Sequence, residues 1–236
     1  NGKKYYDIKL YVGPGAKDAP AGLSCLDIKE TAKDALDGIY WIDPDGGDAA
    51  NAFQALCDMT SHGGGWTLAL NLDTNDGSQR HYFDDTFWTK TDLVGNTAKG
   101  LVDDYKGEAF NLVPAKEIMI KAHIEGAQEG TAYYAFEAAY TGKSLQTLFS
   151  TVANKTVTGA RLGASGSVGA AGRARNAGDA FIDNAHALIF NSTYQPLDAE
   201  NYTRIGTNYA SVCATINCNG HNYGGLGGRH FRGGWG

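Results

Sequence analysis

The chain has 236 residues, 20 Lys or Arg against 26 Asp or Glu and a formal charge of −6, a length that suits one large domain or two small ones. With 42% hydrophobic and 19% charged residues, the composition excludes a disordered chain. No apolar run reaches the roughly 18 residues of a membrane span, and an acidic balance with scattered Lys and Arg argues against nucleic-acid binding.

Glycine, with 32 residues against 5 proline, is about twice its usual share and predicts many turns and few long helices. Tyr5-Tyr6-Asp7-Ile8-Lys9-Leu10-Tyr11-Val12 alternates and reads as a strand, ended by Gly13-Pro14-Gly15. Residues 24–37 read as a short helix, with Ser24 as its cap and Leu26, Ile28, Ala32 and Leu36 near helical spacing. Residues 38–44 form an aromatic, β-branched strand stopped by Pro44, and residues 53–59 read as its partner across a polar connection. Gly63-Gly64-Gly65 leads into an apolar strand over 66–71, which predicts close backbone approach or bent pairing at its start. Residues 117–124 and 132–140 read as central strands, and 143–152 as a short helix. Residues 158–178 are rich in Gly, Ala, Ser and Arg without an apolar period and read as a long loop. Apolar character returns over 185–190. The last twenty residues hold many glycines and almost no aliphatic side chains, so a disulfide, ions or a partner would have to order them. No internal repeat is present.

The four cysteines, Cys25, Cys57, Cys213 and Cys218, allow three connectivities. Pairing 25–57 and 213–218 closes the shortest loops, and an even, locally paired set favours an oxidising compartment over a lone Cys nucleophile. The chain starts at Asn1 without Met or a signal peptide and reads as a mature or excised fragment.

Signatures of catalysis are absent: no G-x-S-x-G elbow, no P-loop, no H-E-x-x-H. Asp84-Asp85 and Asp103-Asp104 are adjacent acids whose side chains point apart, which suits solvated loops better than paired catalysis. Asp73-Thr74-Asn75-Asp76-Gly77 gathers side-chain oxygens and carbonyls in a sharp turn, a donor set that suits calcium; an Asx turn without an ion is the alternative. In the tail, Cys213, Cys218, His221 and His230 have a spacing that fits no compact zinc finger. Asn217, Asn219 and Asn222 with nearby glycine carbonyls suit calcium better.

Ser24-Cys25-Leu26-Asp27-Ile28-Lys29, Asp37-Gly38-Ile39-Tyr40, Cys57-Asp58-Met59-Thr60 and Gly63-Gly64-Gly65-Trp66-Thr67-Leu68 together resemble the opening of fibrinogen-like domains over residues 24–70. The resemblance implies a Cys25–Cys57 bridge and an extracellular setting. Fibrillar collagen C-terminal propeptides share something like Tyr40-Trp41-Ile42-Asp43-Pro44, but do not carry the triple-glycine tryptophan strand in this form. Residues 210–214, then Cys218-Asn219 and the glycine run, are similar to the cysteine-asparagine-histidine-glycine segment of intelectins, X-type lectins that hold a vicinal diol through calcium. Carried over by position, Asn219 matches the motif asparagine, His221 replaces a glutamate and Asn222 stands where those lectins have a histidine. Asp73, Asn75 and Asp76 fall on their calcium loop. Nothing is recognised between about 75 and 205, and the intelectin segment beyond the glycine run, with its aromatic sugar cage and last core strand, has no counterpart after Trp235-Gly236.

These readings predict an α+β fold: a fibrinogen-like, intelectin-like domain over 23–236 behind an N-terminal strand extension over 1–22, with a mainly antiparallel central sheet, short helices and a loop-rich C-terminal calcium region. The implied cofactor is calcium, held by Asp73, Asn75, Asp76, Asn219, His221 and Asn222. The implied ligand site is Asn219, His221, Tyr223 and Trp235, with bridges Cys25–Cys57 and Cys213–Cys218. The leading function is calcium-dependent carbohydrate recognition at a cell or extracellular surface, without enzymatic chemistry. The alternative, on the same fold, is a structural or adhesive subunit of an extracellular filament or surface layer. Partners are then surface glycans or copies of the chain itself. Asn154, Asn191 and Asn201 stand in N-x-S/T sequons, a number close to chance.

Overall fold

A computed structural model describes residues 21–47, 49–73, 86–123, 130–151, 155–156, 158–166, 189–193, 215–219 and 232–235. The strand expected over 5–12 lies outside them.

The N-terminal helix α1 spans Cys25–Thr31. Ser24 caps it by accepting from the Asp27 backbone N–H at 3.2 Å, while the Asp27 carboxylate accepts from the Leu23 N–H at 3.0 Å. The helix is shorter than expected. Ala32 has left helical geometry at φ −124, ψ 81, and Leu36 is 73% exposed, so its apparent place in the helical period was fortuitous. Strand β1 (Gly38–Ile42) pairs antiparallel with β2 (Phe53–Asp58), from Gly38 against Cys57 to Ile42 against Phe53. In β2 the residues Phe53, Ala55 and Cys57 are buried and alternate with more open ones, the period of a half-buried strand. Cys57 thereby faces α1 and forms the disulfide with Cys25 across a Cα separation of 5.5 Å.

The apolar run after the three glycines, expected as one strand, divides between two sheets. Strand β3 (Trp66–Thr67) completes a three-stranded sheet of order β1-β2-β3. Strand β4 (Leu70–Asp73) enters a six-stranded sheet of order β5-β4-β12-β6-β7-β9. Its other members are β5 (Tyr105–Lys106), β6 (Glu117–His123), β7 (Gly130–Phe136), β9 (Thr158–Gly166) and β12 (Arg232–Trp235). Every pairing in it is antiparallel, as expected of the central sheet. Strand β8 (Lys155–Thr156) and the pair β10 (Ile189–Thr193) and β11 (Thr215–Asn219) form a further three-stranded sheet, in which β10 and β11 run parallel. Two more short helices, α2 (Glu108–Leu112) and α3 (Leu145–Thr151), complete the α+β fold.

Two expectations are corrected by this sheet. Residues 158–166 are not loop but the nine-residue strand β9, paired to β7 through two register shifts; residues 167–178 lie outside the description. Their small side chains gave no apolar period, because β9 is held by pairing with its neighbour. The tail also supplies a core strand after all. Residues 232–235 lie between β4 and β6, with Gly233 opposite both Leu72 and Ala122. Backbone pairing on both sides orders this glycine-rich strand where aliphatic side chains are lacking.

The core beside these sheets is aromatic. Trp88 is fully buried, edge-on to Phe87 at 5.2 Å and tilted against Phe149 at 4.9 Å, and Phe149 stacks on Phe110 at 5.7 Å. Lys106 is only 1% exposed. Its ammonium donates to the carbonyl of Phe87 at 2.5 Å and of Lys90 at 2.6 Å, and lies 4.9 and 4.7 Å from the Phe87 and Phe110 ring centres. It ties the turn over 86–90 to β5 and α2.

Candidate functional site

The clearest concave feature is a groove of about 540 Å³ where α1 and residues 63–65 face α2 and the start of β6. Its apolar lining includes Leu26, Trp66, Ala109, Val113, Pro114 and Ile118, and its polar lining includes Asp27, Glu30, Glu117, Lys116 and His62. Size and lining fall in the range of binding clefts. The glycines shape one wall. Gly64 and Gly65 have φ of +78 and +88, and a Cβ on Gly65 would lie 2.7 Å from the Leu26 Cα of α1. A Cβ on Gly64 would strike the Met59 carbonyl. Close backbone approach is therefore the reason for glycine at 64 and 65, as the sequence suggested, while Gly63 has open space at its Cβ position and a positive φ alone.

Beside the groove, Asp58 at the end of β2 meets Lys121 of β6 at 2.5 Å, and Lys121 also donates to the Ser61 hydroxyl at 3.1 Å. This pair bridges the three-stranded and six-stranded sheets. Burial pushes the Asp58 carboxyl up, but hydrogen bonds from Lys121, from Ser61 and from the Thr60 N–H outweigh it and hold it well below the usual carboxylate range. A depressed carboxylate stabilises the fold fully above its unfolded pKa of about 4 and loses that contribution as pH falls toward the folded value. Asp58→Asn is expected to cost on the order of 1 kcal/mol at neutral pH. Urea titrations from pH 7 to 2 should show the difference from the native chain constant above about pH 4 and closing below it. A difference unchanged down to pH 2 would show that the charge of Asp58 is not what matters.

A carboxylate pair lies in the connection between β1 and β2, which the sequence marks as polar and rich in Gly and Asp without showing the pairing. Asp43 is buried, and its Oδ1 has no hydrogen-bond partner among the described residues. Its pKa is raised by a hydrogen bond with Asp45, by burial and by the Asp45 charge. Asp45 is lowered by the Gly47 N–H, by Asp43 and by the Asn51 amide. The two shifts run in opposite directions, so Asp45 ionises before Asp43 as pH rises. The signal was the run Asp43-Pro44-Asp45-Gly46-Gly47. These oxygens are the donor type a hard cation takes, but fewer than the six to eight that calcium prefers. Among the described residues, no group of three or more His, Cys, Asp or Glu is placed to hold a metal ion.

The expected calcium and sugar residues fall as follows. Asp73 ends β4 opposite Arg232, and Trp235 lies in β12 opposite Ile120, so both belong to the six-stranded sheet. Asn219 and Cys218 are on β11 of the other sheet, opposite Thr193 and Ser192. The described strands thus place Asp73 and Asn219 in separate sheets. Asn75, Asp76, His221, Asn222, Tyr223 and Cys213 lie outside the described residues, and with Cys213 the expected Cys213–Cys218 bridge. Of the adjacent acids, Asp103 pairs with Lys99 at 3.7 Å in an exposed position, and Asp84-Asp85 is outside the description. Among the described residues no helix is long and apolar enough to cross a membrane.

Residues 7–100 match the family model of the fibrillar collagen C-terminal domain. The chain is 33% identical over 81 residues to collagen EMF1-alpha of Ephydatia muelleri, a stretch that makes up 34% of this chain and 14% of that protein. Among solved structures it is similar to the fibrinogen-like globe domain of human ANGPTL6, at 15% identity and a TM-score of 0.39, covering 69% of this chain and 61% of that one. The fibrinogen-like globe domain of human ANGPTL2 is similar at 18% identity and a TM-score of 0.39, covering 63% and 61%. None of these likenesses is to an intelectin. The collagen match takes in both residues 40–44 and residues 63–66. The family match covers the segment that carries the disulfide and one wall of the groove.

Proposed function

We propose that this chain is a non-enzymatic structural module of an extracellular assembly, working by association with copies of itself. The observation that carries this reading is the match of residues 7–100 to a fibrillar collagen C-terminal domain. The Cys25–Cys57 bridge inside that segment supports the extracellular setting, because such bridges persist in oxidising compartments. The collagen name of its relative from Ephydatia muelleri points the same way, although the chain spans only 14% of that protein. Calcium-dependent glycan binding through Asn219, His221, Asn222 and Tyr223 has the resemblance of the tail alone behind it.

Sedimentation and a glycan array, each run in calcium and in chelator, test the proposal. The expected result is a discrete oligomer or ordered polymer that forms with rising concentration, and no glycan bound in either condition. A chain that stays monomeric at all concentrations and binds glycans only in calcium would reverse the choice.

A further inference from the structure

We propose that the groove between α1 and α2 is the docking site for residues 6–12 of the same chain. These residues read Tyr6-Asp7-Ile8-Lys9-Leu10-Tyr11-Val12. In an extended segment Tyr6, Ile8, Leu10 and Val12 fall on one face, and Asp7, Lys9 and Tyr11 on the other. The first face is wholly apolar and needs cover. The groove offers it: an apolar lining that includes Leu23 and Leu26, large apolar side chains that are 49% and 42% exposed.

Three further observations select this occupant. The first is attachment. Leu23 and Ser24 line the groove, so the chain leading back to residue 12 departs from the groove itself. The tether Gly13-Pro14-Gly15-Ala16-Lys17-Asp18-Ala19-Pro20 can span up to about 25–30 Å. A tether this short keeps the strand at an effective concentration of roughly millimolar, which favours the same chain over a second copy. The second is charge. Asp27, Glu30 and Glu117 line the groove against Lys116, Glu30 and Glu117 without an ion-pair partner among the described residues, while Lys3 and Lys4 stand just before the docked segment. The third is continuity. The collagen-domain match starts at residue 7 and runs on through α1 and Trp66, so the strand belongs to the same unit as that wall of the groove. This inference does not depend on the assembly proposed above.

Hydrogen exchange on the full chain tests it. Amides of residues 6–12 should exchange at least about tenfold more slowly than a free coil. Leu26→Glu, Val113→Glu and Ile8→Asp should each return those amides to coil rates while β1 and β2 stay protected. A groove variant that also loses protection in β1 and β2 has unfolded, and Ile8→Asp then decides alone. Coil rates in the unaltered chain overturn the proposal. So does protection that survives all three substitutions, because the strand then packs elsewhere. Protection that disappears on dilution overturns it too, because the groove then receives the strand of a second copy.

Discussion

Gly64→Ala is expected to destabilise the protein by about 2–6 kcal/mol. Gly64 has φ +78 and ψ 179, a conformation open essentially to glycine alone, which by itself costs an L side chain about 1–3 kcal/mol. The new methyl would also strike the Met59 carbonyl oxygen and carbon. Backbone cannot rotate aside as a side-chain tip can, so either the 63–65 turn or the end of β2 must move, at about 1–3 kcal/mol more. A domain's whole stability is about 5–15 kcal/mol, so the loss should appear as a large fall in the urea midpoint. Gly63→Ala is the control. Gly63 has φ +93 but open space around its Cβ position, so only the backbone cost of about 1–3 kcal/mol applies. Equal losses in the two variants would show that close approach to Met59 is not the reason for glycine at 64.

Removing the disulfide with Cys25→Ala and Cys57→Ala together should cost about 4 kcal/mol. The bridge closes a sequence separation of 32 residues, and chain entropy assigns a loop of that size a stabilisation of about 3–4 kcal/mol. Both cysteines are buried, at 0% and 3% exposure, so lost packing against α1 and β2 adds to the entropic cost. Differential scanning calorimetry of the double variant should show a melting temperature lower by several degrees or more. A change of less than about 1 kcal/mol would mean that α1 holds to β2 without the bridge.

The parts that sequence made legible are those whose side chains report their own environment. β2 alternates because one face of it is buried, while β1 shows itself as an aromatic, β-branched run whose stop Pro44 marks. Ser24 announces the start of α1, though Leu36 misled about its end. What stayed hidden depends on partners far along the chain. Leu68-Ala69-Leu70 is continuously apolar, so nothing in the run reveals that the chain changes sheet between Thr67 and Leu70. β9 and β12 are built mostly from Gly, Ala and polar residues, with Leu162 and Trp235 as their large apolar residues, and exist through the strands beside them. The Asp58–Lys121 pair joins residues 63 apart, and a fully buried Lys106 looks in sequence like any surface lysine. The groove has the same origin: its walls come from residues 23–30, 62–69 and 109–118, and only the triple glycine hinted at it.

The place of β12 has a consequence for how the protein is made. Its residues 232–235 sit between β4 and β6, strands synthesised long before it. While the ribosome works through the residues in between, β4 with β5 and β6 with β7 and β9 can form only as two separate pieces, each with an open edge where β12 will go. Open edges invite pairing with the wrong chain. The six-stranded sheet is therefore completed after translation has passed residue 235, in a late, long-range step of the kind that folds slowly. The disulfide-tied segment carrying α1, β1, β2 and β3 has all its strands within residues 25–67 and can form first, giving the nascent chain a settled region while the larger sheet waits for its central strand.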